Sequence, residues 1–298
     1  MRIAVTGASG FVGGAVASAL QSRGHDVTGY GRTPDGWTAG HYEPWDLARG
    51  PRRRVVDAVV HAAALADDWA DVGAAMTANR LGTRTVAMSF PGARFVHIST
   101  SSVYDAFTPS VRVREDAPLP ARFLSPYAES KLAAEGEVPR DAVILRPHAV
   151  YGPGDRTLLP RVLEAVRRNR LVLPEGARVA HTLTHIDNLV HAVELALDGP
   201  PGVYNVGDDT DVLLSAVIAE FLALRGRGEV SIRSVPYRVA FAAAGALERA
   251  ARARGVRPRI TRYAVSQVGV ERTLDLTAAR ERLGYRPGPT TLADAASW

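Results

Sequence analysis

The sequence predicts an α/β fold, a doubly wound parallel sheet with a smaller, mostly helical C-terminal part. Three observations carry that prediction. A short apolar strand at the N-terminus opens directly on a glycine-rich turn. Strand-like and helix-like segments then alternate through the first half. Beyond residue 155 the pattern changes to helices with few strands. Alternation at these lengths argues for parallel strands covered on both faces.

Taken in order, residues 2–6 form a short buried-strand pattern, followed by Gly7-Ala8-Ser9-Gly10-Phe11-Val12-Gly13-Gly14 and a helical stretch to about Arg23. Gly24 ends that helix, and residues 26–30 are a second strand. A strand is clear at 55–60 and another falls near 42–47. Residues 94–99 and 142–145 are two more, with helices between them at about 72–89 and 127–138. Farther on, 158–169 and 187–197 read as helices, with Asp187 as N-cap of the second. Residues 202–206 and 229–233 are short strands. No repeat, low-complexity run or long linker interrupts the chain.

The 298 residues are enough for one large domain or two small ones, and 46% are hydrophobic. With no cysteine there is no disulfide, thiolate metal site or cysteine nucleophile, which fits a reducing compartment. The N-terminus reaches Gly7 too soon for a signal peptide. No apolar run approaches the roughly 18 residues of a membrane span. The expectation is a cytoplasmic protein without integral membrane association. The formal charge is +5. Arginines are scattered, and the denser runs at 52–54, 167–170 and 249–259 read as solvated faces, not a nucleic-acid footprint. A basic balance also suits an anionic cofactor. The 236–255 segment is apolar early and arginine-rich late, and is expected as a helix over a pocket, with a membrane-surface helix or ordinary packing as alternatives.

The glycine turn points to a dinucleotide. Gly7, Gly10 and Gly13 let the backbone turn tightly and approach a pyrophosphate, with the following helix N-terminus supplying N–H donors. Ser9, Phe11 and Val12 lie in the same turn. Where an NAD site carries an acid for the ribose 2′-hydroxyl, this chain has Gly31 followed by Arg32. An arginine pairs with a 2′-phosphate, so NADP(H) is favoured over NAD(H); stacking on adenine or exposure to solvent is the alternative for Arg32. Asp46 and Leu47 are candidates for the adenine side.

Lys131 is the only lysine, against 35 arginines. It follows Tyr127 by four residues on a helix that Ser125 caps and Pro126 opens, which sets the two on one face. A cation beside a phenol lowers its pKa and makes it a better proton-transfer group. His181 and His185 lack a third ligand, so no metal is expected. Asp67, Asp68 and Asp71 read as solvated, with 67–69 bordering the pocket as the alternative.

Together these segments resemble the extended short-chain dehydrogenase/reductase superfamily. The matches are TGASGFVG at 6–13, DAVVHAAA at 57–64, NRLGT at 79–83, FVHISTSSVY at 95–104, Tyr127 with Lys131, LRP at 145–147 with VYGPGD at 150–155, and later segments including 184–188 and 283–287. The resemblance implies a Rossmann-type sheet that binds a nicotinamide cofactor. The cofactor set it implies is the glycine turn, Arg32, Asp46, Leu47, His61, Ala62, Ala63, Ala64, Asn79, Ser99, Tyr127, Lys131, Pro147 and Val150. It implies hydride transfer between a ketone and a secondary alcohol, with Tyr127 as general acid or base, Lys131 on the nicotinamide ribose, Thr100 holding the substrate oxygen and Asn79 beside the lysine. Many members carry serine where Thr100 stands, and Ser101 and Ser102 are close enough to share the role. Trp69 and His148 are weaker substrate candidates. Residues 1–157 would form the dinucleotide domain, with 181–206 returning to it, and 158–180 and 207–298 the substrate-binding part. The branch most similar is that of 3β-hydroxysteroid dehydrogenase-like enzymes and ketoreductases. A nucleotide-sugar epimerase or 4-ketoreductase and a non-catalytic NADP-binding sensor remain alternatives. A dehydratase would carry an Asp-Glu pair where Ser101 and Ser102 stand. A homodimer is implied by resemblance alone.

Overall fold

The computed structural model describes residues 1–155 and 158–298. Arg156 and Thr157, and with them the expected boundary at 157, lie outside the described residues. Strands are numbered β1 (Arg2–Thr6), β2 (Asp26–Gly31), β3 (His41–Pro44), β4 (Ala58–His61), β5 (Arg94–Ile98), β6 (Ser110–Val113), β7 (Val143–Pro147), β8 (Val150–Tyr151), β9 (Arg170–Pro174), β10 (Ala180–His181), β11 (Thr184–His185), β12 (Gly202–Val206), β13 (Val212–Leu213), β14 (Ser231–Val235) and β15 (Arg272–Leu274). Helices are α1 (Phe11–Ser22), α2 (Val72–Ala75), α3 (Gly82–Ser89), α4 (Pro126–Glu135), α5 (Leu159–Ala165), α6 (Ile186–Asp198), α7 (Leu214–Leu224), α8 (Tyr237–Arg254) and α9 (Arg262–Gly269). A π-helical segment, Met76–Leu81, joins α2 to α3 without a break.

Seven strands form one parallel sheet in the order β12-β7-β5-β4-β1-β2-β3. Side chains alternate between its faces, and both are apolar. Ile3 and Val5 of β1, Val60 of β4 and Val96 of β5 join a core with Leu20 and Leu189. Ala4, Val59 and Phe95 from the same strands pack on the opposite face with Val86 and Phe90. This two-sided burial is why the strands read as near-continuous apolar runs. The chain leaves β1 toward β2 on one side and β4 on the other, so a crevice opens at the carboxyl ends of β1 and β4.

The later half builds a second core around Tyr151, Leu171, Leu183, Phe221 and Leu222. A four-stranded sheet, β13-β10-β15-β6, lies against it, where β10 and β15 bring His181 beside Arg272.

Three local expectations are corrected. The helix expected over 158–169 ends at Ala165, and β9 follows at Arg170–Pro174. Arg168 and Asn169 have positive φ, so the chain turns there and joins β14 in a parallel pair. Asp187 is not the N-cap of α6: His185 is, its ring nitrogen accepting from the Asp187 amide at 3.3 Å. Asp68 is buried, not solvated, because Arg257 and Thr261 bind its two oxygens at 2.8 and 2.5 Å.

Candidate active site

The glycine turn follows β1 as the sequence requires. Gly7 has φ of +71°, and a Cβ there would lie 2.7 Å from the Ala63 amide nitrogen. A side chain at Gly13 would collide with the Gly7 carbonyl oxygen. Both positions therefore exclude larger residues. Gly10 caps α1 with no side-chain hydrogen bond, so the helix presents its first amides unfilled. This cradle fits a pyrophosphate.

His61 ties the turn to the helix behind it. Thr83 donates its hydroxyl proton to the Asn79 carbonyl at 2.7 Å. The His61 Nε2 must then donate to Thr83 Oγ1 at 2.9 Å, leaving Nδ1 to accept from Thr6 Oγ1 at 2.6 Å. Burial holds this imidazole neutral, its pKa pushed down to about 3. Ala62 and Ala63 are half-buried and Ala64 exposed along the loop that follows.

On the adenine side, Arg32 is exposed just beyond β2. A Cβ at Gly31 would lie 2.6 Å from the Tyr42 hydroxyl, which donates to the Thr33 carbonyl. A side chain there would have to displace the Tyr42 hydroxyl. Ser9 Oγ is on the same side of Gly31. Asp46 is exposed and caps a 3-10 turn, accepting from the Ala48 amide at 3.1 Å. Leu47 packs on Gly82.

The catalytic candidates meet at the end of β5. Ser125 caps α4, accepting from the Ala128 amide at 3.2 Å, and Pro126 opens it. Tyr127 and Lys131 follow on the face turned to β5. The Thr100 hydroxyl lies near the Tyr127 phenol. Burial pushes the phenol above its ordinary pKa and Thr100 pulls it back. That corrects the expectation that Lys131 depresses it, because the ammonium is turned to the Ile98 carbonyl at 2.8 Å and His97 Nε2 at 3.2 Å. Lys131 is 2% exposed, and burial pushes its pKa down to about 8.

Asn79 sits in the π-helical segment and is bonded to Leu65 and to Ser130, the neighbour of Lys131. Its Oδ1 accepts from the Leu65 amide at 2.6 Å and its Nδ2 donates to Ser130 Oγ at 2.8 Å. It fixes the 62–71 loop to α4. Ser99 donates to Glu135 at 2.5 Å, and Glu135 forms a bidentate pair with Arg146 at 3.0 and 2.6 Å. Pro147 ends β7 and Val150 starts β8 on the same rim.

Thr100, Ser101 and Ser102 divide their work. Thr100 donates to Ser102 Oγ at 3.1 Å, and Ser102 hydrogen-bonds the Tyr263 hydroxyl at 2.7 Å. Ser101 bonds His148 Nδ1 at 2.9 Å, and His148 Nε2 bonds His181 Nδ1 at 3.0 Å. Burial holds both imidazoles well below their ordinary pKa, and the Arg272 cation adds to it. Arg272, 5% exposed, donates to the carbonyls of Asp105, Ala106 and Thr108. Trp69 lies under the Arg252 guanidinium, 4.7 Å from its centroid.

Sequence reasoning gave no role to His97 or Glu135, and offered Arg272 only as one of four arginines for a substrate diphosphate. Glu135 had a signal, one helical turn after Lys131 on the same face. Tyr263 stood out only in the branch-like tail Thr261-Arg262-Tyr263, and its bond to Ser102, 161 residues away, was not foreseen.

A dinucleotide cradle beside a Thr-Tyr pair and a buried lysine defines a nucleotide-dependent α/β enzyme. Residues 3–207 match the model of the NAD dependent epimerase/dehydratase family, and the chain belongs to that family. It is an oxidoreductase of the extended short-chain dehydrogenase/reductase type. It is 32% identical to the 4-hydroxy-2-methyl-3-oxo-4-farnesyl-3,4-dihydroquinoline-1-oxide ketoreductase of Stigmatella aurantiaca, over 96% of this chain and 92% of that one. It is 30% identical to the 2-alkyl-3-oxoalkanoate reductase of Stenotrophomonas maltophilia (strain K279a), over 96% and 95%. Among solved structures, MoeE5 in complex with UDP-glucose and NAD superposes with a TM-score of 0.71 at 23% identity, covering 100% of this chain and 96% of that one, which shows the shared fold.

Proposed function

We propose that the protein is an NADP(H)-dependent reductase that interconverts a ketone and a secondary alcohol. The observation that carries this reading is the buried Lys131 at the carboxyl end of β5, bound to the Ile98 carbonyl and one helical turn after Tyr127. The relatives named as ketone reductases support the direction of the chemistry.

The bound nicotinamide supplies or accepts the hydride. The protein contributes position and one proton. The unfilled amides at the start of α1 would hold the pyrophosphate. Arg32, exposed just after Gly31 where an NAD site carries an acid, would pair with the 2′-phosphate. Two of the three Lys131 donors are used by Ile98 and His97, and the third is assigned to the nicotinamide ribose. Thr100 orients the carbonyl oxygen, and Tyr127 gives it a proton during reduction and takes one back during oxidation. Residues 1–157 with 181–206 would hold the cofactor, and 158–180 with 207–298 the substrate. A homodimer through the 72–89 helix fits the exposed Val72, Leu81 and Met88.

Fluorescence titration with NADPH and NADH, repeated for Arg32→Ala, tests the cofactor. The expected result is tight NADPH binding that falls to the NADH value in the variant. Turnover is then assayed with a 2-alkyl-3-oxoalkanoate and with UDP-glucose. NADPH consumption with the keto acid is expected. Epimerisation of UDP-glucose with tightly retained NAD would overturn the reading.

A further inference from the structure

The segment from Tyr237 to Ile260 holds six arginines and a single acid, Glu248. Its net charge of +5 equals the formal charge of the whole chain, so the remainder is neutral in sum. Glu248 is buried and committed to Arg262, with a 2.8 Å ion pair and a 2.7 Å bond to its amide. No acid of the segment itself offsets its outer arginines.

The inner face of α8 is Ala244, Gly245, Glu248 and Ala251, all buried. The opposite face is exposed along Val239, Ala242, Ala243, Ala246 and Leu247. Val239 is 58% and Leu247 43% exposed. At 100° per residue these side chains form one stripe, with Arg238 and Arg249 along one edge and Arg254 closing its C-terminal end. Past the helix, Val256 and Ile260 are also exposed and Arg259 lies between them. Arg252 and Arg257 are engaged with Trp69 and with Asp67 and Asp68. Among the described residues, Arg238, Arg249, Arg254 and Arg259 have no ion pair.

We propose that this face of α8 and the turn after it dock on an anionic lipid surface, with the apolar stripe at the acyl boundary and the four free arginines among the headgroups. An apolar stripe edged by cations is the interfacial pattern, and arginine stems cover apolar surface while their charges reach outward. A second copy fits poorly, because a two-fold contact through this face sets its flanking arginines against like charges. Nucleic acid fits poorly too, since phosphates would face the apolar stripe. No helix among the described residues is long and apolar enough to cross a membrane, so the helix lies on the surface. The same segment grips the 62–71 loop through Arg257, which would hold the candidate site at a fixed distance from the bilayer.

The test is flotation of the full chain with phosphatidylcholine vesicles, with and without phosphatidylglycerol. Binding is expected only with phosphatidylglycerol, weakening as salt rises. Arg249→Gln and Arg254→Gln should each lower partition about fivefold. Val239→Glu combined with Leu247→Glu should abolish it while melting behaviour and NADPH binding stay unchanged, since both residues are exposed and far in sequence from the cradle. Three results overturn the proposal. One is no binding, or equal binding to both vesicle types. Another is a dimer by light scattering that the double glutamate variant dissociates, which would give the face to a second copy. The third is binding to duplex DNA that the double variant leaves intact.

Discussion

The floor and the wall of the site each bury one cation, and they hold it differently. On the floor, Lys131 is bound by the Ile98 carbonyl and His97, with Glu135 one turn away. On the wall, Arg272 is bound by three carbonyls and two serine hydroxyls, and no carboxylate lies within ion-pair distance among the described residues. Burial brings the lysine down to about 8, within reach of the working pH. An arginine keeps its charge in such a place. The floor thus carries a tunable proton-bearing group and the wall a fixed positive charge. The wall's buried imidazoles, His148 and His181, stay neutral in its field.

The largest expected effect belongs to the floor. Tyr127→Phe should lower turnover by about 10²–10⁴-fold with NADPH binding retained. A similar loss from Ser101→Ala would move the proton-handling group to the wall and break the comparison.

Glu135→Gln comes next. It leaves Arg146 buried with half its pairing, and Ser99 without its acceptor charge. Denaturant unfolding should show a loss of about 3–5 kcal/mol. A loss below about 1 kcal/mol would mean the pair is replaceable and the floor less rigid than its bonds imply.

Acid should weaken floor and wall alike. His61 and His181 both sit near a pKa of about 3, against 6.5 when unfolded. The unfolded chain therefore binds their protons first as pH falls. Stability is complete above 6.5 and is lost between 6.5 and about 3, by about 2 kcal/mol per histidine at pH 5. His61→Gln and His181→Gln should each reduce the drop in melting stability between pH 7 and pH 5 by that amount. Unequal reductions would show that the wall opens before the floor.

The smallest effect is at Tyr263→Phe, which removes one neutral hydrogen bond to Ser102. A cost of about 1 kcal/mol in stability is expected. A double-mutant cycle with Ser102→Ala should show the two losses are shared. Strict additivity would detach Tyr263 from the Thr100–Ser102 chain.

The floor was legible in the sequence for a physical reason. Its parts lie close in the chain or at the carboxyl ends of strands of one parallel sheet: a turn at 7–13 after β1, a hydroxyl at the end of β5, and a tyrosine and lysine four apart on one helix. Strand period, helix period and glycine's lack of a side chain fix such arrangements locally. The same locality explains which details failed. The expected helix beyond Ala165 gives way to β9, since positive φ at Arg168 and Asn169 and pairing with β14 override local pattern. The direction in which Tyr127 is shifted depends on where Lys131 points, and helical spacing does not set that.

The tertiary structure alone decided the wall and the two engaged acids of the 62–71 loop. Ser102 meets Tyr263, His148 meets His181, and Asp68 meets Thr261 across 161, 33 and 193 residues. No periodicity spans those separations. Such contacts form only when the C-terminal helices pack against the carboxyl end of the sheet. The sequence by itself determined the fold, the glycine cradle and the Tyr127–Lys131 spacing, because each is written in short-range stereochemistry; the resemblance added Thr100. Packing decided which charges are buried and which arginines stay outside, because burial is a property of the assembled surface.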